Sequence, residues 1–161
     1  HLESPNVYVK AGLFDAIAKI NIVISRLKDF NPDKKIALHS SYTELFISGD
    51  DVKFFQVVHN LLSNAIKFTK PKGQIDVIVG DDEKFISVEV KDNGIGIPEH
   101  LQPHIFKKNT PAARQGLKGE NSLGMGLYIV NKLVRLQKGQ LTFSSEEDKG
   151  SSFIFRIPKN T

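Results

Sequence analysis

The sequence predicts an α+β fold: a two-layer α/β sandwich in which a mixed, mostly antiparallel sheet carries helices on one face. Three observations lead there. Residues 54–66 and 127–137 repeat apolar side chains at helical spacing, so each stretch has one face to bury. Residues 74–79 and 85–90 flank Gly80-Asp81-Asp82, and residues 139–145 and 151–157 flank Glu146-Glu147-Asp148-Lys149-Gly150; both pairs read as hairpins. Strands therefore follow strands, without the strict strand–helix alternation that a doubly wound parallel sheet requires.

At 161 residues the chain has the size of one ordinary domain and can bury a proper core. Its 40% apolar and 25% charged residues are typical of a soluble globular protein. Zero cysteines exclude disulfides and thiolate metal sites, and suit a reducing compartment. No apolar run is long enough to span a bilayer, and the start does not read as a basic-then-apolar leader. The formal charge of +4 is scattered along the chain, as in ordinary solvation, so no nucleic-acid partner is expected.

In chain order, residues 1–10 hold Pro5 and no periodicity, and read as a tail or junction before a domain over 11–161. Leu13, Ile17, Ile20, Ile24 and Leu27 predict a helix over 11–30, stopped by Asn31-Pro32-Asp33. Residues 35–40 and 44–48 are short strand candidates joined by Ser41-Tyr42-Thr43. Gly49-Asp50-Asp51 offers a turn and an acidic cap to a helix reaching about Thr69, with residues 54, 55, 58, 61, 62, 65 and 66 as its apolar face. Pro71-Lys72-Gly73 ends it. After the first hairpin, residues 91–98 form a glycine-rich loop and 99–106 a short helix. Residues 107–123 lose the apolar pattern, as a long functional loop does. Gly124 then opens a helix with Leu127, Val130, Leu133, Val134 and Gln137 on one side, and the second hairpin closes the chain.

Three places carry chemistry-bearing residues. Asn60, Asn64 and Lys67 lie four and three apart, on one stripe of their helix. Such a stripe can hold a metal ion and phosphate oxygens, or be an ordinary wet face. Asp92-Asn93-Gly94-Ile95-Gly96-Ile97-Pro98 follows a strand directly. Its glycines allow close backbone approach, and two isoleucines suit a pocket wall better than an exposed turn. Asp92 there can accept a hydrogen bond from the exocyclic amine of a flat heterocycle; the other reading is a plain Asp-Asn-Gly turn. Gly124-Met125-Gly126 feeds a helix N-terminus, which is either an anion site or simply a closely packed helix start. It lacks the Lys-Ser/Thr of a Walker loop and the spacing of a dinucleotide fingerprint. Between the loops, Lys107, Lys108, Arg114 and Lys118 suit a lid over phosphates or a flexible basic loop.

The order of these pieces is the most specific signal: Asn-x-x-x-Asn-Ala-x-Lys-Phe, then Asp-x-Gly-x-Gly, a Phe-led loop, Gly-x-Gly-Leu on a helix, and a closing Gly-Ser-Ser-Phe strand. Over about residues 11–158 this resembles the catalytic, ATP-binding domain of sensor histidine kinases, in the gyrase/Hsp90/histidine-kinase/MutL superfamily. The resemblance implies a Bergerat-type sandwich with an ATP site between helices and sheet. It implies that Asn64, with Asn60 a turn earlier, holds Mg2+, that Lys67 contacts phosphate, and that Phe68 packs near the adenine. Asp92 would read the adenine amine on a wall shaped by Gly94, Gly96 and Ile97. Leu123, Gly124, Met125, Gly126 and Leu127 would line the phosphate side. Phe106 would be the hinge before the lid, with Lys108 reaching the phosphates.

The implied activity is protein-histidine kinase: transfer of the γ-phosphate of MgATP to a histidine on a separate dimerisation and phosphoacceptor domain of the same protein. That parent would be homodimeric, cytoplasmic or membrane-anchored, and would pass phosphate to a response regulator. The domain by itself is expected to be monomeric and unable to autophosphorylate. Histidines 1, 39, 59, 100 and 104 lack the acceptor pattern of the family. Phe106-Lys107-Lys108-Asn109 stands where the family often has Phe-x-Arg-Phe, and Ser122 replaces a hinge glycine; both bear on lid closure. That departure leaves a nucleotide-binding or docking module without transfer activity as the alternative, beside a serine kinase of the anti-sigma type.

Overall fold

The computed structural model describes residues 10–108 and 126–160. In order the chain forms β1 (Gly12–Asp15), α1 (Ala16–Phe30), β2 (Lys35–His39), β3 (Phe46–Gly49), α2 (Asp51–Lys67), β4 (Gln74–Asp81), β5 (Phe85–Asp92), a 3-10 helix (Glu99–His104), α3 (Gly126–Leu136), β6 (Gln140–Glu146) and β7 (Gly150–Pro158). Five strands make one sheet in the order β2-β4-β5-β7-β6; β1 and β3 pair in a small second sheet.

Alternation decides which sheet face is buried. Ile75, Val77 and Val79 of β4, Ile86, Val88 and Val90 of β5, and Phe153, Phe155 and Ile157 of β7 all point inward. The buried stripes of α1, α2 and α3 cover that face, and α2 packs against both other helices. Phe54 of α2, fully buried, meets Phe155 of the sheet edge-on at 5.8 Å and Phe14 of β1 at 5.4 Å. Truncating such a ring to alanine costs about 3–5 kcal/mol. The result is the expected two-layer sandwich, with both predicted hairpins present: β4–β5 and β6–β7 pair antiparallel.

Four local expectations are corrected. Residues 12–15 are a strand, not the start of the first helix: Leu13 is 74% exposed, while Phe14 turns inward beside its partner Ile47. The helix begins only after Asp15, whose Oδ1 accepts from the amides of Ile17 and Leu45 at 3.0 Å each. The strand candidates at 35–40 and 44–48 do not pair with each other. β2 runs parallel to β4, Ile36 opposite Ile75, and β3 pairs with β1; the crossover through α2 makes that parallel pairing possible. On α2, Val57 is fully buried and Phe55 only half-buried, stacked on His59 with the Arg26 guanidinium 5.6 Å over its ring. Finally, the short segment after Pro98 is a 3-10 helix ending at His104.

Candidate functional site

The frame of the site is α2. Asp50 caps its N-terminus, its Oδ1 accepting from the Lys53 amide at 3.0 Å. Burial pushes the Asp50 carboxyl up, but hydrogen bonds from the Lys10 and Lys53 amides and the Lys53 ammonium outweigh it and hold the group below its ordinary range. At the other end Phe68 is the C-cap, and the buried Thr69 hydroxyl donates to the Ala65 and Ile66 carbonyls. Lys72, at φ 65°, turns the chain into β4.

Asn60, Asn64 and Lys67 are all half-buried on one flank of α2. On the other flank Phe55 lies under the Arg26 guanidinium of α1, with His59 stacked on its ring. At about 100° per residue, Asn60 lies roughly 140° around the helix from Phe55. The asparagine stripe therefore lies on a different flank from the Phe55–Arg26 contact with α1.

The loop after β5 is fastened to the end of α2. The Ile95 amide donates to the Phe68 carbonyl at 3.0 Å, so the Asp92 loop and the asparagine helix are joined by residues 27 positions apart in the chain. Asp92 is buried and its Oδ1 accepts from the Gly94 amide at 2.9 Å. A Cβ on Gly94 would lie 2.1 Å from the Phe68 carbonyl oxygen, and one on Gly96 would lie 2.1 Å from the Glu146 carbonyl oxygen. Gly96 also holds φ +67°. Ile97 is buried and Ile95 half-buried, so neither isoleucine is spent on an exposed turn.

Several supporting residues are invisible to sequence pattern. Ser145 Oγ accepts from the Ile97 amide at 2.8 Å and lies 2.8 Å from Ser151 Oγ, while Gln102 Nε2 donates to the Ile97 carbonyl at 2.9 Å. Ser151, buried, is the cross-strand partner of Asp92. Gly150 is held against that aspartate too: a Cβ there would lie 2.0 Å from the Asp92 carbonyl oxygen. Only the Gly-Ser-Ser-Phe pattern hinted at this; Ser145 and Gln102 carry no signal of their own.

Phe106 packs edge-on against Phe143 at 5.6 Å and Phe153 at 6.5 Å. Lys108 is exposed. Leu127 is half-buried against the core, and Gly126, at the first position of α3, is exposed with nothing within 4 Å of a Cβ added to it. Close packing among the described residues thus gives no reason for a glycine there. Leu123, Gly124 and Met125 lie outside the described residues, as do Arg114, Lys118 and Ser122. A cavity of about 330 Å³ borders Asp92 and is lined by residues 91–92, 144–146 and 149–152; no α2 residue is among its described lining, so it is not the space between Asp92 and α2.

The donor set fits a divalent ion only in part. Among the described residues no three His, Asp or Glu side chains gather in a metal cage. Mg2+ commonly keeps several waters and takes other oxygens from substrate phosphates, and the amide oxygens of Asn60 and Asn64 are the groups on α2 that would face it under the sequence reading.

Comparison with known proteins agrees with this fold. The family described as histidine kinase-, DNA gyrase B- and HSP90-like ATPase matches residues 49–161. The chain is 31% identical over 164 residues to the signal transduction histidine-protein kinase BarA of Escherichia coli, covering 97% of this chain and 18% of that protein. It is 32% identical over 139 residues to the adaptive-response sensory kinase SasA of Microcystis aeruginosa, covering 84% of this chain and 36% of that protein. The chain thus spans well under half the length of these relatives. Among solved structures, the nucleotide-free catalytic domain of histidine kinase ThkA superposes with a TM-score of 0.82 at 26% identity, over 94% of this chain and 97% of that one. Full-length ShkA in complex with AMPPNP shares the fold, with a TM-score of 0.82 at 22% identity over 98% of this chain and 33% of that one.

Proposed function

This chain belongs to the histidine kinase-, DNA gyrase B- and HSP90-like ATPases, and we propose that it binds MgATP and hands the γ-phosphate to a histidine on a separate phosphoacceptor domain. The observation that carries the reading is the Ile95–Phe68 hydrogen bond, which sets the Asp92 loop beside the asparagine helix. Asp92 would accept from the adenine amine, with Ile97 as apolar wall and Phe68 packed beneath. Asn60 and Asn64 would orient the metal, and Lys67 would balance phosphate charge. Bound Mg2+ supplies charge neutralisation at the β- and γ-phosphates. Such transfer depends mainly on positioning and electrostatics, with little covalent work for the protein.

Asn60 favours transfer over hydrolysis. In the related hydrolases this position typically carries a glutamate general base, whereas an amide cannot take a proton at neutral pH. The acceptor would lie elsewhere in the parent protein, which would act as a homodimer and pass phosphate to a response regulator. Among the described residues no helix is long and apolar enough to cross a membrane. The test mixes the domain with labelled MgATP and a histidine-bearing two-helix hairpin. Labelled histidine is expected; rapid phosphate release without it would overturn the kinase reading, and absence of any ATP binding would overturn the nucleotide reading as well.

A further inference from the structure

We infer that Lys34 is a positioning residue for the nucleotide site, holding the end of α2 against the loop that carries Asp92; the inference rests on reading that loop as the adenine wall. Lysine is almost never fully buried unless paired, yet the Lys34 side chain is 1% exposed. Its Nζ donates to the Thr69 carbonyl and, at 2.9 Å, to the Lys70 carbonyl, with Asp33 Oδ2 3.9 Å away. Thr69 and Lys70 directly follow the C-cap of α2, where carbonyls lack helical partners and the helix dipole is negative. An ammonium placed there satisfies two of those oxygens at once.

What makes this more than a helix cap is the adjoining residue. The Phe68 carbonyl, one peptide before Thr69, receives the Ile95 amide, and Gly94 is pressed against it. The same corner is closed from both sides. The Lys72 amide donates to the Asp33 carbonyl at 2.8 Å, and the Lys35 amide to the Gly73 carbonyl at 2.9 Å. Gln74 and Asn93 then exchange hydrogen bonds, the Gln74 amide with Asn93 Oδ1 at 2.9 Å and the Asn93 amide with the Gln74 carbonyl at 3.2 Å. Residues 33–35, 68–74 and 92–95 thus form one junction, with the Lys34 ammonium buried at its centre. Releasing Thr69 and Lys70 frees the Phe68 carbonyl to shift, and with it the amide that sets Gly94 and Asp92.

The experiment compares wild type, Lys34→Met and Lys34→Gln by ATP titration and by hydrogen exchange at the Ile95 amide. Val23→Ala, which loosens the core within α1, serves as a control. Lys34→Met should bind ATP about tenfold more weakly, the low end of the roughly 10–100-fold loss typical when a partner that orients a binding group is removed. Its Ile95 amide should exchange faster, whereas Val23→Ala, compared at equal loss of melting temperature, should leave both near wild type. Lys34→Gln retains an N–H donor and should fall between. If Lys34→Met does not fold, Lys34→Gln decides by the same two readouts. Unchanged Ile95 exchange or unchanged affinity in a folded Lys34 variant overturns the inference. Should wild type bind no ATP, the nucleotide reading fails, and Ile95 exchange alone tells whether Lys34 holds the junction.

Discussion

Gly94 stands so close to Phe68 that a Cβ added to it would lie 2.1 Å from the Phe68 carbonyl oxygen. The contact joins the aspartate loop to the end of the asparagine helix, and no side chain larger than hydrogen fits between them. Gly94→Ala should therefore push the loop away from α2. Stability should fall by about 1–3 kcal/mol, the usual cost of overpacking a closed site, and ATP affinity should fall with it. Denaturant titration and calorimetric binding on the same preparation check both.

Asp92 has two separable roles. Its Oδ1 accepts the Gly94 amide within the loop, and its charge would receive the adenine amine. Asp92→Asn keeps an oxygen for Gly94 and removes the charge; Asp92→Ala removes both. Both variants should lose ATP binding by about tenfold or more, and Asp92→Asn should melt close to wild type. If Asp92→Asn instead loses stability without ligand in proportion to its loss of binding, Asp92 is structural.

Asn60 and Asn64 should act only through the metal. Asn64→Ala is expected to leave the affinity for ATP in EDTA unchanged while removing most of the gain on adding Mg2+, with Asn60→Ala weaker in the same direction. Titrations with and without the ion separate this from general damage. A loss equal in both conditions would place the asparagines in direct nucleotide contact.

The Asp50 cap gives a pH dependence of definite sign. Its carboxyl titrates lower in the folded protein than in the unfolded chain. The charged cap therefore stabilises above the unfolded value, about 3.9, and that contribution disappears as pH falls through the lowered folded value. Asp50→Asn, still a good cap, should lose about 1 kcal/mol at neutral pH through the lost charge. The gap to wild type should close on acidification below about pH 4. Melting curves across that range test it.

Much of this molecule is written in short-range pattern. The apolar repeat along α2 and α3 and the alternation in β4, β5 and β7 announce their elements, and turn residues place both hairpins. The glycines at 94 and 96 and the isoleucine at 97 announce a close-packed apolar loop, and the structure puts each where that chemistry requires. Pattern misses what depends on neighbours. Leu13 continues a helical repeat in sequence, but Phe14 has Ile47 to pair with across a strand, so the chain is extended there and the helix waits for Asp15. Phe55 and Val57 are equally apolar, and Val57 is the one buried because α2 is rotated by the surfaces of α1, α3 and the sheet.

The sequence by itself therefore determines the body of α1, α2 and α3, the two hairpins with the inward alternation of β4, β5 and β7, and which polar residues share a stripe. These are consequences of period and of local backbone chemistry, felt within a few residues. Tertiary structure alone decided that β2 pairs with β4, that Lys34 reaches the carbonyls of Thr69 and Lys70, and that Ser145 holds the Ile97 amide. Those partners are 35 to 48 residues apart for the side-chain bonds. A hydrogen-bonding group can satisfy itself with any complementary group brought near, and only the packing of distant apolar faces determines which one that is.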